Sequence, residues 1–189
     1  LAFTKQFPGH SFSWKILGGI YKELGRLNDA LAAGKKSIEL DSEDNQAHNS
    51  LGVILEGLGR FEEAEASYRK ALLLNPDDCG VYYNLGNAMR ELKKFEEAAA
   101  AYQQAILVKS DYAEAHSNLG VALQELGRSE EAETSCRQAV AITPDFADAH
   151  YNLGNALKDL GRPREAEASY RQAIALKPDY AEAYSNLGS

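Results

Sequence analysis

Two cysteines and five prolines are all that this 189-residue chain contains of either residue. Two thiols, Cys79 and Cys136, with no CxxC pair, exclude a disulfide framework and a thiolate zinc knot. The scarcity of proline leaves long stretches free to be helical, and alanine, leucine, glutamate and lysine are plentiful. Basic residues are outnumbered, 20 against 28 acidic ones, for a net charge of -8 with both signs interspersed. The basic stripe needed to grip a phosphate backbone or an anionic membrane surface is therefore absent, and neither nucleic acid nor membrane is expected as a partner. No apolar run reaches the length of a membrane span and the first residues lack a signal-peptide core, so a reducing cytoplasmic setting is expected.

What is present is periodic. Leu-Gly stands at 17–18, 51–52, 85–86, 119–120, 153–154 and 187–188, always 34 residues apart. With Leu-Gly at positions 7 and 8, full repeats run 11–44, 45–78, 79–112, 113–146 and 147–180. Residues 1–10 read as the tail of a preceding repeat and 181–189 as the start of a sixth, as if the array had been cut at both ends. Position 20 is alanine throughout: Ala30, Ala64, Ala98, Ala132 and Ala166. Apolar or aromatic residues at positions 4, 7, 11 and 14, such as His48, Leu51, Leu55 and Leu58, form a stripe of helical period on a first helix, A. Gly59 is placed to end that helix, and Glu62, Glu63 and Pro163 belong in the first turn of a second helix, B. Asp111 with Glu114, Asp145 with Asp148 and Asp179 with Glu182 have the spacing of capping boxes that would open the next helix A.

Trp14, Leu17, Gly18 and Tyr21, followed in other repeats by Ala98 and Tyr102 or Ala166 and Tyr170 and by Pro76, Pro144 and Pro178, resemble the tetratricopeptide repeat. Gly34 and Cys136 replace the second-helix aromatic, and Ser42 and Ser110 replace the proline. The resemblance covers nearly the whole chain. It implies an all-α fold, a right-handed α-solenoid of antiparallel helix pairs, in which one repeat cannot bury its apolar face alone.

Asparagine is a poor helix former, yet it precedes Leu-Gly at Asn84, Asn118, Asn152 and Asn186, with Asn87 and Asn155 one turn further on. The resemblance places this stripe on the floor of a concave groove. An amide both donates and accepts, so a row of them can pair with the main chain of an extended peptide whatever its side chains. The alternative is that the amides bond to one another or to neighbouring repeats. Tyr83 and Tyr151 could stack on a bound side chain, and Arg90 and Lys158 add charge to the same face, either for a ligand or as solvated pairs. The amide ladder also resembles the superhelical region of O-linked N-acetylglucosamine transferases and related bacterial glycosyltransferase-like proteins, although no transferase domain is present.

A second tetratricopeptide use, clamping an acidic chain terminus, needs cations that the stripe lacks. Its first slot is Lys15, but the later ones fall on Gly19, Ser50 and Gly80. Catalytic chemistry finds no foothold. His48, His116 and His150 share position 4 with Trp14, Tyr82 and Tyr184 and read as packing residues, in no HExxH or HxH arrangement. Glycine-rich phosphate loops and GxSxG are absent. No catalytic residue, metal or cofactor is expected. The chain reads as a protein–protein interaction module for an extended peptide or partner segment. A scaffold self-associating through its open ends, or the recognition region of a larger glycosyltransferase-like protein, are the alternatives.

Overall fold

The structure, a computed structural model, describes residues 9–187. The expectations for residues 1–8 and 188–189 lie outside the described residues. Among those described there are eleven helices and no strand. They are α1 (Ser11–Glu23), α2 (Leu27–Leu40), α3 (Asn45–Gly57), α4 (Phe61–Leu74), α5 (Cys79–Glu91), α6 (Phe95–Val108), α7 (Ala113–Glu125), α8 (Ser129–Ile142), α9 (Ala147–Asp159), α10 (Pro163–Leu176) and α11 (Ala181–Leu187). None is long and apolar enough to cross a membrane. The chain has an all-α helical repeat fold.

Contacts divide it between Lys93 and Lys94 into two compact units. In the N-terminal unit consecutive helices from α1 to α5 pack on one another, and α1, α3 and α5 also touch in series. In the C-terminal unit the same holds from α6 to α11, with α7 beside α9. An ionic lattice stitches α8 to α10: Arg162 Nη1 lies 2.6 Å from Glu133 and Arg137 Nη2 lies 3.4 Å from Glu165. Arg137, Arg162 and Glu165 are largely exposed and Glu133 is half-buried, so they contribute as a network rather than as single bridges.

The core follows from the small residues. Ala30, Ala64, Ala98, Ala132 and Ala166 are all buried, which lets paired helices approach closely. Tyr68, Tyr102 and Tyr170 are buried as well, and Tyr68 and Tyr170 press flat over a glycine of the facing helix. A Cβ at Gly52 would stand 2.7 Å from Tyr68 Cδ1, and one at Gly154 2.6 Å from Tyr170 Cδ1. Gly120 faces Cys136 in the same way. Gly18 faces Gly34, and there a Cβ would make only ordinary contacts.

Helix ends show both agreement and correction. Glu62 and Glu63, Glu96 and Glu97, and Glu130 and Glu131 occupy the first turns of α4, α6 and α8, where the helix dipole favours negative charge. The capping boxes expected at Asp111 and Asp145 do not form: the N-caps of α7 and α9 are Tyr112 and Phe146, without a side-chain hydrogen bond. Asp44 and Asp78, one place later in the repeat, are the true caps and accept from the N–H groups of Ala47 and Val81 at 3.0 and 3.1 Å. A one-residue shift moves a carboxylate out of reach of the free amides.

The turn after the first helix of each pair needs a left-handed residue. Gly25, Gly59, Gly127 and Gly161 supply it at φ between 69° and 71°. Lys93 does so at φ 58°, the sole non-glycine with positive φ among the described residues. This conformation costs an L side chain about 1 kcal/mol. Lys93→Gly should therefore stabilise the chain by roughly 0.5–1 kcal/mol, seen as a higher urea midpoint. An unchanged or lower midpoint would show that the lysine side chain compensates.

Candidate functional site

In the C-terminal unit, α9 carries Tyr151, Asn152, Asn155 and Lys158 on one face, as helical spacing requires. Together with Asn186 of α11 and Val121 of α7 they line an open cleft of about 570 Å³. Both asparagines of α9 and Asn186 are half-buried, and Lys158 is exposed. Asn118 is half-buried on α7 but does not line this cleft. Tyr83, Asn84, Asn87 and Arg90 sit on α5 in the N-terminal unit, all half-buried. The Arg90 guanidinium is 3.6 Å from Glu91.

Three of the four amides before Leu-Gly, Asn84, Asn152 and Asn186, follow one hydrogen-bonding rule. Asn84 Nδ2 donates to Asn49 Oδ1 at 3.2 Å, Asn152 Nδ2 to Ser117 Oγ at 3.0 Å, and Asn186 Nδ2 to the Tyr151 hydroxyl at 3.3 Å. Each reaches the residue 35 positions back, on the preceding repeat. The inter-repeat bond considered as an alternative from sequence is therefore made. At Asn84 and Asn152 that bond leaves a second N–H and the carbonyl oxygen, whereas Asn186 Nδ2 also donates to Asn155 Oδ1 at 3.0 Å.

Asn155 behaves differently. Its Oδ1 accepts from the Tyr170 hydroxyl at 2.8 Å and from Asn186 Nδ2 at 3.0 Å. Burial, with Tyr151 and Asp159 nearby, pushes the Tyr170 hydroxyl up to about 12, so it keeps its proton and donates at neutral pH. Tyr151 lies between two other rings, its centroid 5.9 Å from that of Tyr170 and 5.0 Å from that of Tyr180. It is thus a member of a tyrosine cluster at the cleft. Gln124 Nε2 donates to Asp159 Oδ2 at 2.8 Å across the far side.

Sequence reasoning placed Tyr170 only in the core and missed Ser117 altogether. A signal was there to read: Asn155 and Asn87, the asparagines at position 9, each share a repeat with a tyrosine at position 24, Tyr170 or Tyr102. Where position 9 is Val53, the tyrosine instead donates to a carboxylate, Tyr68 to Glu56 Oε2 at 2.6 Å. Burial raises the Glu56 pKa, the phenol bond opposes this, and Glu91 adds to the rise.

The corresponding face of α1 is apolar. Ile16 and Ile20 line a cleft of about 570 Å³ with Gly19, and Phe12 and Leu24 are also exposed. Lys15 is held by Asp44 at 2.6 Å, so it is engaged within its own unit. The position-4 histidines latch the turn before their own helix. His48, His116 and His150 each bring Nε2 to a main-chain oxygen six residues earlier, at 3.0, 3.1 and 2.8 Å. A carbonyl only accepts, so this nitrogen carries the proton. Among the described residues no group of three His, Cys, Asp or Glu could hold a metal ion. Burial pushes the Cys136 thiol up to about 12, which keeps it protonated.

Family models described as TPR repeat match residues 86–127 and 125–161, and models described as tetratricopeptide repeat match 13–44, 46–78, 67–100 and 147–180. The chain belongs to the tetratricopeptide repeat family. TPR arrays are protein–protein interaction modules, generally non-catalytic, whose partners are proteins or peptides. No curated protein matches the sequence. Among solved structures, YrrB, described as a TPR protein with an unusual peptide-binding site, is 23% identical with a TM-score of 0.81, covering 100% of this chain and 97% of that one. The MamA protein is 24% identical with a TM-score of 0.81, covering 91% and 94%. Pseudomonas aeruginosa pilF is 21% identical with a TM-score of 0.81, covering 93% and 80%. At these identities the likeness is one of fold.

Proposed function

We propose that this TPR chain is a non-catalytic module that holds an extended peptide or partner segment against the asparagine-bearing faces of its first helices. The reading is carried by the cleft of the C-terminal unit, where Asn152, Asn155 and Asn186 stand half-buried around a common space. Asparagine costs about 0.5 kcal/mol or more against alanine at a helical site, and its recurrence in register is hard to account for by packing alone. The inter-repeat bonds orient these amides and leave hydrogen-bonding capacity at Asn152 and Asn155. That YrrB, of the same fold, has a peptide-binding site supports the reading. Tyr83, Asn84, Asn87 and Arg90 form the corresponding face of the N-terminal unit, and Asn118 belongs to the same stripe on α7.

The experiment selects binders from a phage-displayed library of random dodecapeptides and measures the tightest one by fluorescence anisotropy. Replacing Asn118 and Asn152 together by alanine should weaken that peptide by about tenfold or more, since each lost hydrogen bond is worth roughly 0.5–1.5 kcal/mol. Helicity and melting should stay within a few degrees, because alanine's better propensity offsets the lost Ser117 bond. Equal affinity for parent and double variant would remove the basis of this function.

A further inference from the structure

We infer that Tyr170 is a positioning residue that gives the cleft a polarity, making Asn155 an obligate donor beside Asn152 as an acceptor, so that α9 reads one extended residue of a bound main chain. This rests on the peptide-binding reading of the same cleft. The observation behind it is the double use of one oxygen. Asn155 Oδ1 accepts from both the Tyr170 hydroxyl and Asn186 Nδ2, at 2.8 and 3.0 Å. An amide oxygen has two lone pairs, and both are then occupied. What Asn155 has left for the cleft it lines is a pair of N–H groups.

Asn152 is set the other way round. Its Nδ2 turns to the buried Ser117 hydroxyl at 3.0 Å, which leaves Oδ1 as its acceptor toward the cleft. The two side chains are three residues apart on α9, about 4.5 Å along the helix axis. A residue in extended conformation points its own N–H and C=O to the same side, the pattern of a hydrogen-bonded pair between antiparallel strands. Its carbonyl suits Asn155 and its N–H suits Asn152. A site of this kind prefers an uncharged main chain to a free carboxylate, because the two carboxylates that border the cleft, Glu125 and Asp159, outnumber its one cation, Lys158.

The origin of the polarity lies in the core. Tyr170 is buried under α9, over Gly154, and meets the cleft lining through the bond of its hydroxyl to Asn155. Removing that oxygen while keeping the ring should free Asn155 to turn without loosening the packing. The fourth repeat has Cys136 at the equivalent place and Val121 where Asn155 would be, so it lacks both the phenol and the amide that the phenol would orient.

The test uses the full chain and a blocked, uncharged octapeptide of alternating alanine and threonine, followed by the ¹H–¹⁵N signals of the side-chain amides. In the parent protein the Asn155 amide pair should shift on titration more than that of Asn152. Asn155→Asp and Asn152→Asp add the same charge to the same helix, but the first removes the N–H pair that Asn155 offers to the cleft, whereas the second keeps the oxygen that Asn152 offers. Asn155→Asp should therefore weaken the octapeptide about tenfold more than Asn152→Asp does. Tyr170→Phe should weaken it about three- to tenfold, with melting retained and the Asn155 amide pair displaced even before peptide is added. Equal losses for the two aspartates, or an Asn155 pair unmoved by Tyr170→Phe, would overturn the polarity while leaving peptide binding intact. If no side-chain amide responds to the octapeptide and the library yields no binder, the cleft is no peptide site and both readings fall.

Discussion

Gly52→Ala should destabilise the N-terminal unit by about 2–3 kcal/mol, a large loss for the addition of one methyl group. The new Cβ would stand 2.7 Å from Cδ1 and Cζ of Tyr68, well inside van der Waals contact. The ring has no room to retreat, being 0% exposed, and its hydroxyl is tied to Glu56 at 2.6 Å. Alanine would otherwise help, since glycine within a helix costs about 1 kcal/mol. Gly18→Ala supplies the control. Its nearest neighbour would be the Ala30 carbonyl at 3.5 Å, because Gly34 replaces the aromatic there. That substitution should be neutral or slightly stabilising. Urea unfolding of the two variants decides the matter: equal midpoints would show that the aromatic–glycine contact is not what excludes a side chain from position 52.

Tyr68→Ala should cost more, about 3–5 kcal/mol, the usual loss when a large aromatic is truncated in a core. Two effects add. A cavity replaces the ring beneath Gly52, and the half-buried Glu56 carboxylate loses its phenol donor while Glu91 still repels it. Combining Gly52→Ala with Tyr68→Ala should be less damaging than the sum, because the methyl group enters the space that the ring vacates. A coupling of about 1 kcal/mol or more between residues in direct contact is the expected signature. Strict additivity would mean that the two residues do not share one packing site.

The same triplet of small residue, glycine and aromatic was legible in the sequence at several levels. Ala64, Gly52 and Tyr68 recur with a fixed period, and only close helix crossing explains why bulk is excluded at two places and demanded at a third. Helix ends were half legible. Gly59 announced its left-handed turn by residue type, whereas Lys93 was marked only by its register, at the repeat position that is glycine in the other four. Aspartates at 111 and 145 had the composition of caps, but cap geometry tolerates no shift, and Asp44 and Asp78 hold the positions that work.

The sequence by itself determined the helical repeat and its family, because period, small-residue positions and apolar stripes are local patterns that the helix geometry converts directly into packing. It also marked the asparagines as candidates for binding. Only the tertiary structure decided what each amide is for. Asn152 and Asn155 are the same residue on the same helix face, yet one turns its nitrogen and the other its oxygen inward. The partners that enforce this, Ser117, Tyr170 and Asn186, lie on three other helices. An amide's two ends are nearly equal in size and opposite in hydrogen-bonding sense, so the choice between them is made by neighbours that folding brings together.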